Sequence, residues 1–466
     1  MSTSLVPFNG ITFTVHTFGC QMNKHDSERV YGMLESLGAQ AVDTVDESDI
    51  IVFMTCCVRE AADTRLYGQV MSLKNVPLRP DSPLDKRIVA VGGCIGQRDG
   101  NKLIEKMPHL DVVFGTNNLS SLPQLIKETM RDKQHHVATV EESSTEATEL
   151  PSDREHSWAA WLPITVGCNN FCTYCIVPYV RGREKSRPLE QIAAEASAYA
   201  KAGVKEITLL GQNVNSYGRD LYGEPKFAEV LDAVAESGVD RIRFATSHPK
   251  DLTDEVIERF ATIPNLMPAL HLPAQSGSDR ILKAMNRRYT VEHYLELIDK
   301  LRTACPGIAL STDIIVGFPG ETEEDFQQTY DLVKHVGYAQ VFTFIYSKRE
   351  GTPAAKIDDP TPHEVIQERF DRLVDVVQQG AFDYNQPFAN KTVSVLVEGA
   401  SKRDARLLVG RSPQNQTVHA PIPEGMGISD LAGRFVNVKV EQARTWYLRG
   451  SLVAGPFGHE QTSREL

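Results

Sequence analysis

Three closely spaced cysteines are the residues of this chain best suited to chemistry. Cys168, Cys172 and Cys175 have the spacing C-x3-C-x2-C, and no fourth cysteine or histidine follows within the next 70 residues. A structural zinc site needs four protein ligands. Three thiolates suit a four-iron cluster with one iron left open for an exogenous ligand. A zinc site that borrows a distant ligand and three unrelated buried cysteines are the alternatives.

Three further cysteines are dispersed in sequence but share a common setting. Cys20, Cys56 and Cys94 each follow, by one to three residues, an apolar segment that is predicted to be a strand: residues 11–18, 50–54 and 88–91. The carboxyl ends of parallel strands lie at one edge of a sheet, where open α/β sheets bind ligands. The pattern predicts a second three-thiolate site. The alternative is three small buried apolar side chains. We expect Cys57 not to be a ligand and Cys305 to be structural.

The elements that must position these cysteines follow a βα rhythm. Residues 11–138 alternate between short apolar runs and amphipathic stretches, which predicts an N-terminal α/β domain with a parallel sheet. Residues 139–157 are polar and contain Pro151, so we expect a flexible or loosely attached linker.

The same rhythm resumes in residues 158–383 and ends with an amphipathic helix at 362–383. The six predicted strands of this region are 162–166, 206–210, 242–246, 269–272, 309–316 and 341–346. They indicate a partial (β/α)6 barrel with its active site at the carboxyl ends of the strands. Short alternating strands in residues 384–455 predict a small antiparallel β-barrel, and residues 456–466 a tail. The predicted fold class is therefore α/β with three domains.

Composition excludes several classes of protein. The chain has 466 residues, 41% of them hydrophobic, and no apolar run long enough for a membrane helix. Its N-terminus lacks the basic and apolar regions of a signal peptide, so secretion is not expected. Eight cysteines are too few for a disulfide scaffold. The net charge is −12, whereas residues 384–466 carry ten basic and seven acidic residues, so charge alone identifies no partner.

The triad of residues 168–175 resembles the hallmark of the radical S-adenosylmethionine (SAM) superfamily, in which an aromatic residue usually precedes the last cysteine. Tyr174 occupies that position. The resemblance implies that the open iron of a [4Fe-4S] cluster binds the amino and carboxylate groups of SAM. It also implies that an electron from this cluster cleaves SAM to a 5′-deoxyadenosyl radical.

Two cysteine triads in one chain point to a narrower resemblance, to the methylthiotransferase family. The segments that carry it are FGCQMN (18–23), TCCVRE (55–60), GCIGQR (93–98), TYCIVPYVRG (173–182), LGQNVN (210–215), HLPAQSGS (271–278) and DIIVGFPG (313–320). The residues after Cys20 and the segment 212–215 resemble the tRNA branch of the family. The C-terminal barrel is similar to the TRAM RNA-binding module.

The resemblance implies methylthiolation of carbon 2 of N6-isopentenyladenosine beside the anticodon of tRNA. It implies two [4Fe-4S] clusters, two molecules of SAM per product, and sulfur delivered via the second cluster. The expected iron ligands are Cys20, Cys56, Cys94, Cys168, Cys172 and Cys175. The expected partners are a tRNA anticodon stem-loop and an external one-electron donor such as flavodoxin or ferredoxin. We expect a cytoplasmic monomer with no membrane association.

Polar residues at or just past the predicted strand ends are candidates for SAM binding. Together with Tyr174 they are Gln212, Asn213, Ser247, Gln275 and Asp313. Helix caps and loop hydrogen bonds are the alternative explanation. We expect His248 and His271 to be hydrogen-bonded core residues.

Two groups of basic residues are candidates for contact with RNA. The first is Arg181, Arg183, Lys185 and Arg187, which could bind tRNA phosphates, balance the charge of the cluster and SAM, or form a solvated loop paired with carboxylates. The second is Lys402, Arg403, Arg406, Arg411 and Arg434, for which an ordinary charged surface is the alternative.

Three rival functions follow from the same residues. Two are methylthiolation of a threonylcarbamoyl adenosine and methylthiolation of a ribosomal protein. The third is an iron–sulfur protein that binds RNA without turnover.

Overall fold

The computed structural model describes residues 8–57, 60–140, 142–145, 148 and 150–453. The predicted tail and residues 58 and 59 of the TCCVRE segment lie outside this part. No helix in the described ranges combines the length and the apolar composition needed to cross a lipid bilayer.

The described part of the N-terminal domain is a parallel sheet with the strand order β2-β1-β3-β4-β5-β6. Its strands are β1 (Thr12–Thr17), β2 (Gln40–Ala41), β3 (Ile50–Thr55), β4 (Ile88–Gly93), β5 (Val112–Phe114) and β6 (His136–Ala138). Its helices are α1 (Gln21–Ser36), α2 (Glu60–Ser72), α3 (Cys94–Asp99), α4 (Asn101–Lys106) and α5 (Leu122–Asp132). The residues of β3 and β4 are buried throughout because helices cover both faces of the sheet, and this confirms the predicted architecture.

The sequence predicts a helix at residues 26–37 and another at about 97–107, and the structure differs from both of these bounds. The helix expected from residue 26 begins at Gln21, because Cys20 has an extended conformation at its N-cap. The apolar spacing did not predict the first turns of this helix, because polar side chains are buried there, among them Asn23 and Asp26. The single helix predicted for residues 97–107 is divided into α3 and α4 at Gly100, where φ is +47°.

The central domain contains the six predicted parallel strands, arranged as two three-stranded sheets in the orders β11-β10-β7 and β12-β13-β14. Its strands are β7 (Ala159–Pro163), β8 (Thr165–Val166), β9 (Lys185–Ser186), β10 (Glu206–Leu210), β11 (Arg241–Phe244), β12 (Ala269–His271), β13 (Ala309–Val316) and β14 (Gln340–Ile345). The first barrel strand lies three residues before its predicted position, and β8 pairs with β9 in a short antiparallel ribbon.

Helices cover the outside of this open barrel. They are α6 (Val177–Val180), α7 (Leu189–Lys201), α8 (Phe227–Ala235), α9 (Asp254–Thr262), α10 (Asp279–Ala284), α11 (Val291–Ala304), α12 (Glu323–Val336) and α13 (His363–Asn385). The largest apolar core lies between these helices and the strands, and includes Leu209, Ile242, Leu310 and Leu373.

The C-terminal domain is the predicted small barrel, closed in the strand order β15-β16-β17-β19-β18. Its neighbouring strands are antiparallel as predicted, except that β17 and β19 pair in parallel. Its strands are β15 (Thr392–Ala400), β16 (Leu407–Arg411), β17 (Thr417–Pro421), β18 (Phe435–Ala443) and β19 (Leu448–Leu452). The C-terminal domain is hydrogen-bonded to residues of β11 in the central domain. Arg241 is wholly buried and donates to the Arg411 carbonyl at 2.8 Å, while Arg243 donates to the Ser412 carbonyl at 2.8 Å. The small barrel therefore covers the end of the central barrel opposite to the carboxyl ends of its strands.

The segment between the first two domains packs more closely than expected. The Asp153 amide donates to the Glu28 carbonyl at 3.0 Å, and Arg29 donates to the Leu150 carbonyl. A Cβ on Gly32 of α1 would lie 2.6 Å from the Pro151 carbonyl carbon, so the two backbones are in close contact. The expectation of a loosely attached linker is wrong for these residues, because backbone groups of the linker pair with polar side chains and carbonyls of α1.

Candidate functional site

The sheet brings the three dispersed cysteines to one edge. Cys20 directly precedes α1, Cys56 follows β3, and Cys94 begins α3 after β4. The strands β1, β3 and β4 are neighbours, and the register of β3 and β4 pairs Thr55 with Gly93. Cys56 and Cys94 are thus the next residues on adjacent parallel strands. The structure places all three cysteines as the sequence predicted.

The thiols of this edge contact one another in pairs. A hydrogen bond with Cys56 lowers the pKa of Cys20 to about 6, and a hydrogen bond with Cys57 lowers the pKa of Cys94 to about 7. Gly19 permits this approach, because its φ is +103° and a Cβ there would lie 2.2 Å from the Cys56 Cβ. Thiols with a lowered pKa are ready thiolate ligands, so the donor set fits an iron–sulfur cluster.

Arg181 connects this edge to the central domain. It is buried and donates to Asn23 Oδ1 at 3.0 Å and to Asp26 Oδ2 at 3.1 Å, and its positive charge helps to lower the pKa of Cys20 and of Cys94. It is therefore not available to tRNA phosphates.

The other members of the first basic group are also engaged. Arg187 is buried and pairs with Glu195 at 2.7 Å, Lys185 pairs with Glu142 at 2.9 Å, and Arg183 stacks on Phe171 with 4.4 Å to the ring centroid. The expectation of phosphate contacts is wrong for Arg181 and Arg187. The alternative of pairing with carboxylates holds for both, although their guanidinium groups are buried and not solvated.

The loop with the C-x3-C-x2-C triad follows β8 and is anchored to α10 and the turn after it. The Thr173 amide donates to the Met285 carbonyl at 3.0 Å, and the Asn286 side chain donates to the Phe171 carbonyl at 3.0 Å. Gly167, with φ of +76°, begins the loop where a Cβ would lie 2.2 Å from the Arg183 carbonyl oxygen. These contacts hold the loop in a compact form between two halves of the barrel.

Burial dominates the chemistry of the triad. It raises the pKa of Cys168 to about 12 and also raises that of Cys175, since a thiolate is poorly solvated there. Bound iron would supply the positive charge that stabilises thiolates and releases the protons. In the described residues no three His, Cys, Asp or Glu side chains meet as ligands of a single ion. Each thiolate of a four-iron cluster binds a different iron, so three cysteines can hold such a cluster and leave its fourth iron open.

The two groups of cysteines face each other across the domain interface. Helix α6 begins two residues after Cys175, and it packs against α3. Ile176 and Val180 lie in the same buried apolar cluster as Cys57 and Cys94.

Two of the six SAM-binding candidates lie together at the carboxyl ends of β10 and β11. Asn213 is buried and donates to Asp251 at 2.7 Å. Its Oδ1, the Ser247 hydroxyl and the Asn215 side-chain nitrogen are buried and lack hydrogen-bond partners among the described residues. Buried polar atoms are nearly always satisfied, so this position fits a polar ligand such as SAM.

The other four candidates occupy different surroundings. Tyr174 packs against the apolar cluster that contains Phe318, and burial raises its pKa. Gln275 pairs through its backbone with Asp313, whose carboxylate lies 3.4 Å from the ring nitrogen Nε2 of His271. Gln212 is half-buried directly after β10.

Sequence reasoning missed two buried charged residues near the triads. Arg287 lies with its Nη1 atom 3.8 Å from Cys172 Sγ. Glu184 accepts a hydrogen bond from Ser216, and burial raises its pKa to about 7. No local pattern marks either residue, because their partners are 115 and 32 positions away in sequence.

Three family models match the chain, one in each domain. The radical SAM superfamily model matches residues 162–333, the model described as Uncharacterized protein family UPF0004 matches residues 12–115, and the TRAM domain model matches residues 388–453.

Curated relatives match almost the whole chain. A tRNA-2-methylthio-N(6)-dimethylallyladenosine synthase of Thermoanaerobacter sp. (strain X514) is 45% identical over 444 residues, which cover 95% of this chain and 92% of the relative. A protein of the same name from Clostridium botulinum (strain Langeland) is 47% identical over 442 residues, covering 94% and 96% of the two chains.

Solved structures share the fold. The radical SAM methyltransferase TsrM of Kitasatospora setae aligns with a TM-score of 0.53 at 11% identity, covering 74% of each chain. The cobalamin-dependent radical SAM enzyme OxsB aligns with a TM-score of 0.51 at 15% identity, covering 80% of this chain and 58% of OxsB. At this identity the likeness concerns the fold alone.

Proposed function

This chain belongs to the family of tRNA-2-methylthio-N(6)-dimethylallyladenosine synthases, and on that premise we propose that it methylthiolates carbon 2 of N6-isopentenyladenosine next to the anticodon of tRNA. One observation carries the proposal. Two separate groups of cysteines, at Cys20, Cys56 and Cys94 and in the loop 168–175, face one domain interface that α6 and Arg181 bridge. An enzyme that inserts sulfur at an unreactive carbon needs a radical source and a sulfur source close together.

The radical SAM domain implies SAM and one [4Fe-4S] cluster, for which Cys168, Cys172 and Cys175 are the ligands in this proposal. When bound, this cluster supplies the electron that generates the radical from SAM. We assign a second [4Fe-4S] cluster to Cys20, Cys56 and Cys94, through which sulfur reaches the substrate. The hydrogen bond between the thiols of Cys20 and Cys56, and the position of Cys94 at the end of the strand next to that of Cys56, support that assignment.

The residues of the barrel mouth bind and orient in this scheme. Asn213 and Ser247 offer unpartnered polar atoms to SAM at the ends of β10 and β11. We also assign Tyr174, Gln212, Gln275 and Asp313 to the SAM site, on the support of their positions at or near strand ends. Cys168 and Cys172 are buried, which limits the access of water to these two sulfurs.

We propose that the anticodon stem-loop of tRNA binds this chain and that the C-terminal barrel also contacts the tRNA. Lys402 and Arg403 are exposed there, and Trp446 is 51% exposed, so cationic and aromatic groups are both accessible to RNA. Arg406 and Arg411 pair with Asp404 and Glu398 and are less available. Arg434 is exposed and is included in the proposed surface.

Three further features complete the proposal. An external one-electron donor such as flavodoxin or ferredoxin reduces the first cluster, because each turnover consumes an electron. The chain acts as a monomer, since one copy supplies both cysteine groups and the C-terminal barrel. It works in the cytoplasm, where reducing conditions keep thiols available as iron ligands.

Mass spectrometry of tRNA nucleosides tests this function. A strain that lacks the protein should accumulate N6-isopentenyladenosine without its 2-methylthio group. The native gene should restore the product, Cys168→Ala should not, and Cys305→Ala should serve as the matched cysteine control. Retention of the 2-methylthio group in the deletion strain would refute the tRNA assignment.

The same strain separates the rival functions. Loss of a methylthio group from a threonylcarbamoyl adenosine or from a ribosomal protein, with the isopentenyl nucleoside intact, would favour those substrates. An iron–sulfur protein without turnover would yield no 5′-deoxyadenosine when the reduced protein is incubated with SAM.

A further inference from the structure

The turn after α10 carries an arginine into the interior of the barrel. Asn286 adopts a left-handed conformation with φ of +57°, which Asn tolerates better than most residues, and the next residue is Arg287. The Arg287 amide donates to the Leu282 carbonyl at 2.8 Å. The Arg287 side chain points into the protein, and only 7% of the residue is exposed to solvent.

Three contacts fix the guanidinium of Arg287. Nη2 donates to the Pro273 carbonyl at 2.6 Å and Nε donates to the Tyr289 hydroxyl at 3.0 Å. The remaining nitrogen, Nη1, lies 3.8 Å from Cys172 Sγ. The Tyr289 hydroxyl in turn donates to the Ala274 carbonyl at 2.8 Å, so the arginine is held from two sides.

Arg287 differs in its partners from three other buried arginines, Arg181, Arg187 and Arg369. Arg181 pairs with Asp26, Arg187 with Glu195, and Arg369 with Glu321 and Glu323. In the described residues no carboxylate lies within ion-pair distance of the Arg287 guanidinium. Its fixed oxygen acceptors, a carbonyl and a hydroxyl, are neutral.

An unpaired charge inside a protein is strongly unfavourable, so a buried guanidinium needs an anion. Arginine keeps its proton at every physiological pH and cannot escape the penalty by becoming neutral. The Tyr289 hydroxyl keeps its proton to donate to the Ala274 carbonyl, whereas the sulfur of Cys172 can supply negative charge because it becomes a thiolate when it binds iron.

We propose that Arg287 is the counter-charge of the first cluster and donates a charge-assisted hydrogen bond from Nη1 to the Cys172 thiolate. The proposal rests on the assignment of Cys168, Cys172 and Cys175 as the ligands of that cluster. One-electron reduction adds negative charge to the cluster, and a fixed positive charge beside a ligand sulfur favours the reduced form. Arg287 is thus a positioning residue that raises the reduction potential, one of the properties that hydrogen bonds to cluster sulfurs control.

The test is a redox titration of the reconstituted protein, followed by electron paramagnetic resonance. The signal of the first cluster is identified by its change when SAM is added. Arg287→Gln should lower the midpoint potential by at least 59 mV, which is a tenfold shift of a one-electron equilibrium. Arg287→Lys should lower it less, because the charge is kept but the geometry of the hydrogen bond is lost.

A matched control is Arg259→Lys, which makes the same change at an arginine of α9 that pairs with Asp232 of α8. Its potential should equal that of the native protein. Tyr289→Phe removes one of the contacts that orient Arg287 while the charge stays, and should give a shift smaller than that of Arg287→Gln.

Two outcomes would overturn the proposal. An unchanged midpoint potential in Arg287→Gln with full iron content would show that the guanidinium does not act on the cluster. Loss of SAM affinity without a change of potential would show that it serves the SAM carboxylate instead. Failure of Arg287→Gln to bind iron, with normal binding by Arg287→Lys, would support the need for the positive charge.

The test does not depend on the RNA product. Should the potential respond as described while tRNA from the deletion strain keeps its 2-methylthio group, the role of Arg287 stands and the proposed substrate falls. If the midpoint potential does not change in Arg287→Gln although the protein makes the methylthio product, the proposed substrate stands and the role of Arg287 falls.

Discussion

Arg181 lies 3.1 Å from Asp26, and this ion pair joins the segment after the cysteine triad to the helix that begins beside Cys20. Both side chains are nearly inaccessible to solvent, with exposures of 6% and 10%. The pair therefore holds the N-terminal domain against the central domain, at the point where the two cysteine groups face each other.

Replacing Arg181 with Met should lower the free energy of unfolding by about 3–5 kcal/mol, because it removes the arginine charge from the buried Asp26 carboxylate and leaves only the His25 ring beside it, at 3.3 Å. Urea unfolding of the apoprotein measures this effect. Arg259→Met removes a more exposed pair with Asp232 and should cost less than about 1 kcal/mol. If the two variants lose the same free energy of unfolding, the Arg181–Asp26 pair contributes no more to stability than an exposed pair.

Glu28 should make stability depend on pH. Burial raises the pKa of Glu28 to about 7, outweighing the charges of Arg29 and Arg154, while Glu155 adds to the rise. The folded protein thus keeps this proton up to about pH 7, whereas the unfolded chain releases it near pH 4.5. Because the folded state binds more protons in this window, stability falls as the pH rises through it.

Glu28→Gln removes this dependence. At pH 4 the variant should match the native protein, and at pH 8 it should be more stable by about 3–3.5 kcal/mol, at roughly 1.4 kcal/mol per pKa unit. Unfolding midpoints at a series of pH values provide the measurement, with the exposed Glu105→Gln of α4 as control. A constant difference between native and variant protein at all pH values would contradict the raised pKa.

Iron content tests the two cysteine groups separately. Anaerobically reconstituted protein should bind about eight irons if each group holds a four-iron cluster. The triple variant Cys168→Ala/Cys172→Ala/Cys175→Ala should bind about half of this amount, and so should Cys20→Ala/Cys56→Ala/Cys94→Ala. Cys305→Ala, at the end of α11, should bind the full amount. Native iron content in the first triple variant would reject the triad as a cluster site.

Cys94 should be needed for sulfur insertion but not for radical formation. Cys94→Ala should abolish the methylthio product and leave some reductive cleavage of SAM, detected as 5′-deoxyadenosine. Cys57 is hydrogen-bonded to Cys94, and Cys57→Ser keeps a donor at that place, so this control should retain the product. Full methylthiolation by Cys94→Ala would rule out the second site.

Removal of the C-terminal barrel should affect more than RNA binding. Truncation after residue 385 would expose Arg241, which is now wholly buried and whose charge lies over the Phe435 ring at 4.8 Å. We expect a lower melting temperature and a parallel loss of SAM cleavage. The double variant Lys402→Ala/Arg403→Ala should leave the melting temperature unchanged and weaken tRNA binding, with a smaller dependence of affinity on salt. A truncated protein that cleaves SAM normally would show that the barrel is not needed to close the central domain.

Much of the architecture could be predicted because its signals are local. Apolar runs such as 50–54 and 88–91 lie within β3 and β4, since buried parallel strands need continuous apolar sequence. Because Cys20, Cys56 and Cys94 each follow such a strand, the sequence was enough to predict that they share a sheet edge. The C-x3-C-x2-C spacing identified the separate triad of residues 168–175.

The partners of the buried charges were decided only by the tertiary structure. Arg181 was read as part of a basic run, and it pairs with Asp26, 155 residues earlier. Arg287 carried no signal, and its place beside Cys172 depends on a turn after α10 that meets a loop from another part of the barrel. Strand and helix periodicities report which face of an element is buried, whereas the partner of a buried charge is set by the packing of distant elements, because desolvation makes each such group take whichever counter-charge the assembled fold brings near.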